Sequence, residues 1–119
     1  MKENIIKNKS FQFAIRIVNL YKYLISEKRE FVLSKQLLRS GTSIGANIRE
    51  AQNAESDKDF IHKFGIAQKE ADETIYWLDL LSETHYLSKP AYESINEDAT
   101  AILKIIRTIM LNKKNKSKE

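Results

Sequence analysis

The sequence predicts an all-α protein, an antiparallel up-down-up-down four-helix bundle assembled into a homo-oligomeric ring. Three observations lead there. Three glycines and one proline in 119 residues leave too little turn punctuation for a protein of many strands. Four segments repeat their apolar residues at helical spacing and are joined by short polar connections, the pattern of a bundle. Several of those segments also carry a second apolar face, more than one four-helix core can cover, so copies of the chain are expected to bury it against one another.

In the first segment Phe11, Ala14, Ile15, Val18 and Ile25 fall within one narrow arc at about 100° per residue, with Ser10 as the expected N-cap. On its other side Phe13, Ile17, Leu20 and Leu24 repeat at helical intervals. The polar run Ser26 to Glu30 ends this helix. Ser34 is placed to cap a second, expected over roughly 34–53 with a start as early as 30, along the seam Leu37, Gly41, Ile44, Ile48 and Ala51.

The third helix begins near Ser56, where Ser-Asp-Lys-Asp resembles a capping box and sets two carboxylates in the first turn. It continues as Phe60, Phe64, Ala67, Ala71, Thr74, Leu78 and Leu81, an unbroken heptad alternation and the strongest periodic signal in the chain. Pro90 suits the first turn of a fourth helix, with Leu87 and Tyr92 placed to staple it. That helix follows Ile95, Ala99, Ile102, Ile106 and Ile109. With no internal repeat or linker, residues 1–119 read as a single domain with its core at about 10–111 and a basic, flexible tail at 112–119.

The formal charge of +4 is unevenly spread. Lys2, Lys7 and Lys9 stand against Glu3 at the start, and Lys113, Lys114, Lys116 and Lys118 against Glu119 at the end, whereas residues 11–111 hold 13 basic and 14 acidic side chains. All the excess positive charge therefore lies at the two ends, which makes those lysines the candidate nucleic-acid-binding residues. Cysteine is absent, which excludes disulfides, thiolate chemistry and cysteine zinc sites, and a cytoplasmic location is expected. No apolar run approaches the roughly 20 residues of a membrane span, so no membrane association is expected.

The stretch Arg39 to Ala51 breaks the helical rule by carrying Gly41 and Gly45 inside an element. At helical spacing Ser40, Ser43, Asn47 and Glu50 form a polar stripe beside the apolar one. Ser40, Gly41, Ser43, Ile44, Gly45, Asn47, Ile48 and Glu50 are therefore expected to form a close helix-packing or interface motif, the glycines admitting a neighbouring backbone and the polar groups setting register. The alternative is a ligand-recognition surface flanked by Arg39 and Arg49. The surplus apolar side chains, assigned as Phe13, Ile17, Leu20 and Leu24 on the first helix and Tyr76, Trp77 and Leu80 on the third, are the expected oligomer interface.

The order QLLRSGTSIGANIREA, with Ser43, Ile44, Asn47, Ile48 and Glu50 in place, resembles the four-helix-bundle family of 23S rRNA intervening-sequence proteins. The block FIHKFGIAQKEADETIYWLDLL agrees, and the resemblance covers roughly residues 10–111. The chain departs from the family's N-I-A-E-G pattern in having Arg49 before Glu50 and Ala51 after it. The resemblance implies a homo-oligomer, a pentameric ring of bundles, similar in fold to the accessory proteins of diversity-generating retroelements.

Three function classes compete. The first is a non-enzymatic, oligomeric protein binding the backbone of RNA or DNA through its basic termini, with charge multiplied by the ring. The second is an adaptor or scaffold for a protein partner, such as a reverse transcriptase, without direct nucleic-acid contact. An enzyme is the third: a di-metal bundle site requires Glu-x-x-His on two helices and further inward glutamates. Only Asp59-x-x-His62 approaches that pattern, and His85 falls in an expected turn, so no enzyme, metal or cofactor is expected.

Overall fold

The computed structural model describes residues 2–117, and among them it contains four α-helices and no strand: α1 (Lys2–Ser26), α2 (Leu33–Ala51), α3 (Asp57–Glu83) and α4 (Lys89–Ser117). Each helix packs on its neighbours in sequence and α4 closes against α1, while the diagonal pairs α1–α3 and α2–α4 keep their Cα atoms more than 8 Å apart and meet only through side chains in the core. The result is a rod of 51 × 22 × 19 Å.

Helix α1 begins at Lys2 and not at Ser10. Ile6, seven residues before Phe13, is fully buried, so the core-facing stripe extends about two further turns and carries the helix with it. Ser10 consequently lies mid-helix, where its hydroxyl donates to the Lys7 carbonyl at 3.2 Å and caps nothing. At the other end, residues 112–117, expected as a flexible tail, occupy the last turns of α4. Lysines suit that position, because cations offset the negative end of the helix dipole.

The cap of α2 also differs from expectation. Ser34 lies inside the helix, and Glu30 in the preceding connection supplies the cap: its carboxylate accepts the backbone N–H groups of Val32, Leu33 and Ser34 at 3.2, 3.0 and 2.7 Å. Ser34 returns a hydrogen bond from its hydroxyl to the Glu30 carbonyl at 2.8 Å. Burial of Glu30 pushes its pKa upward, but these donors outweigh it and hold the carboxyl below the usual range. The chain reaches this position through Arg29, which adopts a left-handed φ of 55°.

At α3 the cap follows its signal, and at α4 Ser88, which the spacing did not single out, supplies one. Ser56 Oγ accepts the Asp59 N–H at 3.0 Å at the start of α3, and Ser88 Oγ accepts the Ala91 N–H at 3.3 Å beside Pro90. Burying the α3 seam gives the core its long axis, since Phe64, Ala67, Ala71, Thr74, Leu78 and Leu81 are all fully enclosed. Phe13, Ile17, Leu37, Ile44, Ile48 and Ile106 meet them. Among the described residues no helix is long and apolar enough to cross a membrane.

Candidate functional site

The Arg39–Ala51 stretch lies between α1 and α3, with a different chemistry on each side. Toward α1 are the glycines: a Cβ on Gly41 would stand 2.7 Å from Ile17 Cγ1, and one on Gly45 would stand 3.3 Å from the Ser10 carbonyl oxygen. Toward α3 is the polar stripe. Ser40 is fully buried and its Oγ lies 3.0 Å from the Thr74 hydroxyl, which also reaches the Glu70 carbonyl at 2.7 Å. Glu50 forms an ion pair with Lys63 at 2.9 Å.

Ser43 and Asn47 bond within α2. The Ser43 hydroxyl donates to the Arg39 carbonyl at 2.7 Å, and Asn47 Nδ2 donates to the Ser43 carbonyl at 2.8 Å. The motif therefore has its hydrogen-bonding groups engaged within the protomer. Arg39 is likewise occupied, donating to Glu70 at 2.9 Å and, closely, to Glu73. Glu73 also accepts the Trp77 indole N–H at 2.9 Å; these two donors hold its carboxyl below the usual range, the Trp77 contact foremost, against a small opposing effect of burial. The same carboxylates raise the Arg39 guanidinium further above its ordinary value, with the Glu73 contact contributing most.

The start of α1 and the end of α4 adjoin at one end of the rod. Glu3 near the start of α1 lines the same shallow cleft as Asn112, Lys113 and Lys116 near the end of α4. Lys7, Lys9, Lys114 and Lys116 are exposed there. Lys113 is different: its ammonium lies 4.7 Å from the Phe60 ring centroid and 3.3 Å from Asp57, so it ties α4 to the start of α3. For Lys2 only the backbone position in α1 is described, and Lys118 lies outside the described residues.

The apolar surplus sits elsewhere than expected on α1. Phe13, Ile17 and Leu24, assigned to an oligomer interface, are at most 2% exposed inside a single protomer, with Leu20 packed against them. They are core because theirs is the stripe that faces the Gly41 and Gly45 notch. The opposite stripe remains on the surface, where Phe11 is 51% and Ile15 42% exposed. Arg49 of α2 lies over the Phe11 ring, 5.6 Å from its centroid. On α3 the assignment falls on surface residues: Tyr76 is 57% exposed, and Trp77 and Leu80 are partly so, with the two aromatic rings edge to face at 5.0 Å.

Among the described residues no cluster of three His, Asp or Glu side chains has the spacing to hold a metal ion. His62 is exposed on α3, and His85 follows α3 with a left-handed φ of 70°. Between α1 and α4 an open cleft of about 390 Å³ includes Lys9, Gln12, Arg16 and Asp98, but Arg16 is already paired with Asp98 at 2.6 Å and bonded to Ser94 Oγ at 3.1 Å.

Four helices about one core, with a glycine-notched α2 closely packed on α1 and lysines near both chain ends, define an all-α four-helix bundle. The family model described as 23S rRNA-intervening sequence protein matches residues 2–108, and the chain belongs to that family. It is similar to the crystal structure, at 1.70 Å resolution, of a protein of unknown function from the S23 ribosomal protein family of Bacteroides thetaiotaomicron VPI-5482. The two are 61% identical, with 92% of this chain and 98% of that chain covered and a TM-score of 0.92. No match was found among curated proteins.

Proposed function

We propose that the protein is a non-enzymatic, homo-oligomeric up-down-up-down bundle that binds the backbone of RNA or DNA through the basic end of each protomer. One observation carries this reading: the start of α1 and the end of α4 adjoin, with Glu3 in one cleft with Lys113 and Lys116, so the exposed lysines near both chain ends, Lys7 and Lys9 on α1 and Lys114 and Lys116 on α4, are gathered toward one end of the rod. The up-down arrangement is supported by the pairings Ser10 with Gly45, Glu50 with Lys63 and Asp57 with Lys113, in which the end of one helix meets the start of its neighbour or the reverse. In a ring, pentameric as the family resemblance implies, each weak phosphate contact would be multiplied by the subunit number.

No base-reading motif accompanies these lysines, so binding is sequence-tolerant and falls steeply with salt. The test is a salt-titrated binding measurement with RNA and with DNA on the wild type and on Lys114→Glu/Lys116→Glu. Each lost phosphate contact lowers the slope of log K against log salt by about 0.9 for duplex DNA and about 0.7 for a single strand. Wild-type binding that is absent at low salt, or a slope that the double variant leaves unchanged, excludes the charged end and favours the protein-adaptor role.

A further inference from the structure

The exposed faces of α1 and α3 differ in charge as well as in position. From Asn4 to Ser26, α1 carries Lys7, Lys9, Arg16 and Lys22 and no acidic residue. From Glu70 to Glu83, α3 carries five acidic residues and neither lysine nor arginine. Within the protomer Arg16 already pairs with Asp98, Glu70 and Glu73 with Arg39, and Asp72 with Arg107, which leaves Lys7, Lys9 and Lys22 on α1 and Asp79 and Glu83 on α3 as the charges that distinguish the two faces. Each run borders an apolar patch left partly open in the protomer: Phe11 and Ile15 on α1, with Arg49 of α2 over the Phe11 ring and Lys22 in line at helical spacing, and Tyr76 and the half-buried Leu80 on α3, between Asp72 and Glu83. The two helices are diagonal in the bundle, with no Cα of one within 8 Å of the other, so their outer faces point to opposite sides of the rod.

We infer that the α1 face of one copy docks on the α3 face of the next, in a head-to-tail contact between unlike surfaces. The inference rests on the oligomeric reading above and names the surfaces that build it. A self-complementary contact would set the basic α1 face against another basic face, or the acidic α3 face against another acidic one, and would leave the other patch bare. Joining the unlike faces covers both patches, pairs opposite charges around each, and sorts partners by sign. Because the two surfaces lie on opposite sides of the protomer, every added copy presents a fresh face, and the assembly grows until its rotation closes a ring.

A mixing experiment tests this on the full chain. Ile15→Asp spoils only the α1 face and Tyr76→Asp only the α3 face. Light scattering after gel filtration is expected to give an assembled wild type, two monomeric variants, and in a 1:1 mixture a species of twice the 13.8 kDa protomer and nothing larger, since one intact face of each kind remains. Far-ultraviolet circular dichroism checks the folding of both variants; should either lose helix, Phe11→Ser and Tyr76→Ser take their places in the same mixture. A wild type that runs as a monomer overturns the oligomeric reading and this pairing with it. An assembled wild type overturns the pairing alone if either variant remains assembled or if the mixture stays monomeric.

Discussion

Ile17 and Gly41 meet with no room for another carbon between them: a Cβ on the glycine would lie 2.7 Å from Ile17 Cγ1 and 2.8 Å from Cγ2. Both atoms branch directly from the Ile17 Cβ, and the side chain is fully buried, so it has no open space into which to swing. The three glycines are therefore predicted to respond differently to alanine. Helix propensity alone favours alanine by about 1 kcal/mol at each position. At Gly65 the nearest atom is the Met110 Cε at 3.7 Å, an ordinary contact, so Gly65→Ala is expected to raise stability by up to about that amount. At Gly41 overpacking of about 1–3 kcal/mol outweighs the gain, and Gly41→Leu is worse. Gly45→Ala, against the Ser10 backbone at 3.3 Å, should fall between them. Denaturant unfolding ranks the variants, and Ile17→Ala should relieve part of the Gly41→Ala defect.

Glu30 caps three backbone N–H groups of α2, and Glu30→Ala is expected to cost about 1–2 kcal/mol. Its folded-state pKa lies below the unfolded value, so the carboxylate's contribution is complete above the ordinary glutamate value of about 4.3 and is lost as pH falls through the folded one. Thermal melts of wild type and Glu30→Gln between neutral and acid pH check this. The difference between the two should shrink on the acid side.

Trp77 is the only tryptophan, and its indole N–H rests on Glu73, so its fluorescence reports that carboxylate. The Trp77 and Arg39 contacts depress the Glu73 pKa, and the emission should accordingly hold steady until the pH drops below the usual glutamate range. Arg39→Ala should move the transition to higher pH, and Glu73→Gln should abolish it. The ion pairs themselves are partly exposed, so Arg39→Ala is expected to change stability by less than about 1 kcal/mol.

Lys113 and Lys114 are adjacent in sequence and predicted to separate in function. Lys113→Ala removes the cation over Phe60 and the Asp57 contact and should lower stability by about 0.5–1 kcal/mol. Lys114→Ala, on the exposed side of α4, should leave the melting temperature nearly unchanged and weaken nucleic-acid binding. Melting curves and the salt-titrated binding assay, run on both variants, give the two readouts.

The element count, the α3 seam and the role of Gly41 and Gly45 were legible because each depends on residues three or four apart on one helix. Ser56 and Pro90 were legible for the same reason. Glu30 was harder to foresee: a glutamate reaching forward to N–H groups two to four residues on needs the left-handed turn at Arg29, and no local spacing announces that turn. Lys113 looked like its tail neighbours because its partners Phe60 and Asp57 are far away in sequence. The extension of α1 to Lys2 hung on Ile6, which with its exposed neighbour Ile5 forms a lone apolar pair among polar residues, and whose burial depends on the helices it meets.

By itself the sequence determined four helices and their order, since periodicity, caps and breakers act within a few turns of chain. It also determined that α1 has more apolar surface than one core requires. Only the tertiary structure decided which of its stripes becomes core. Phe11 and Ile15 are as apolar as Phe13 and Ile17, so hydrophobicity could not choose between the two faces; the Phe13 and Ile17 stripe goes inside because it meets α2 at Gly41 and Gly45, where the absence of a side chain lets two backbones close together.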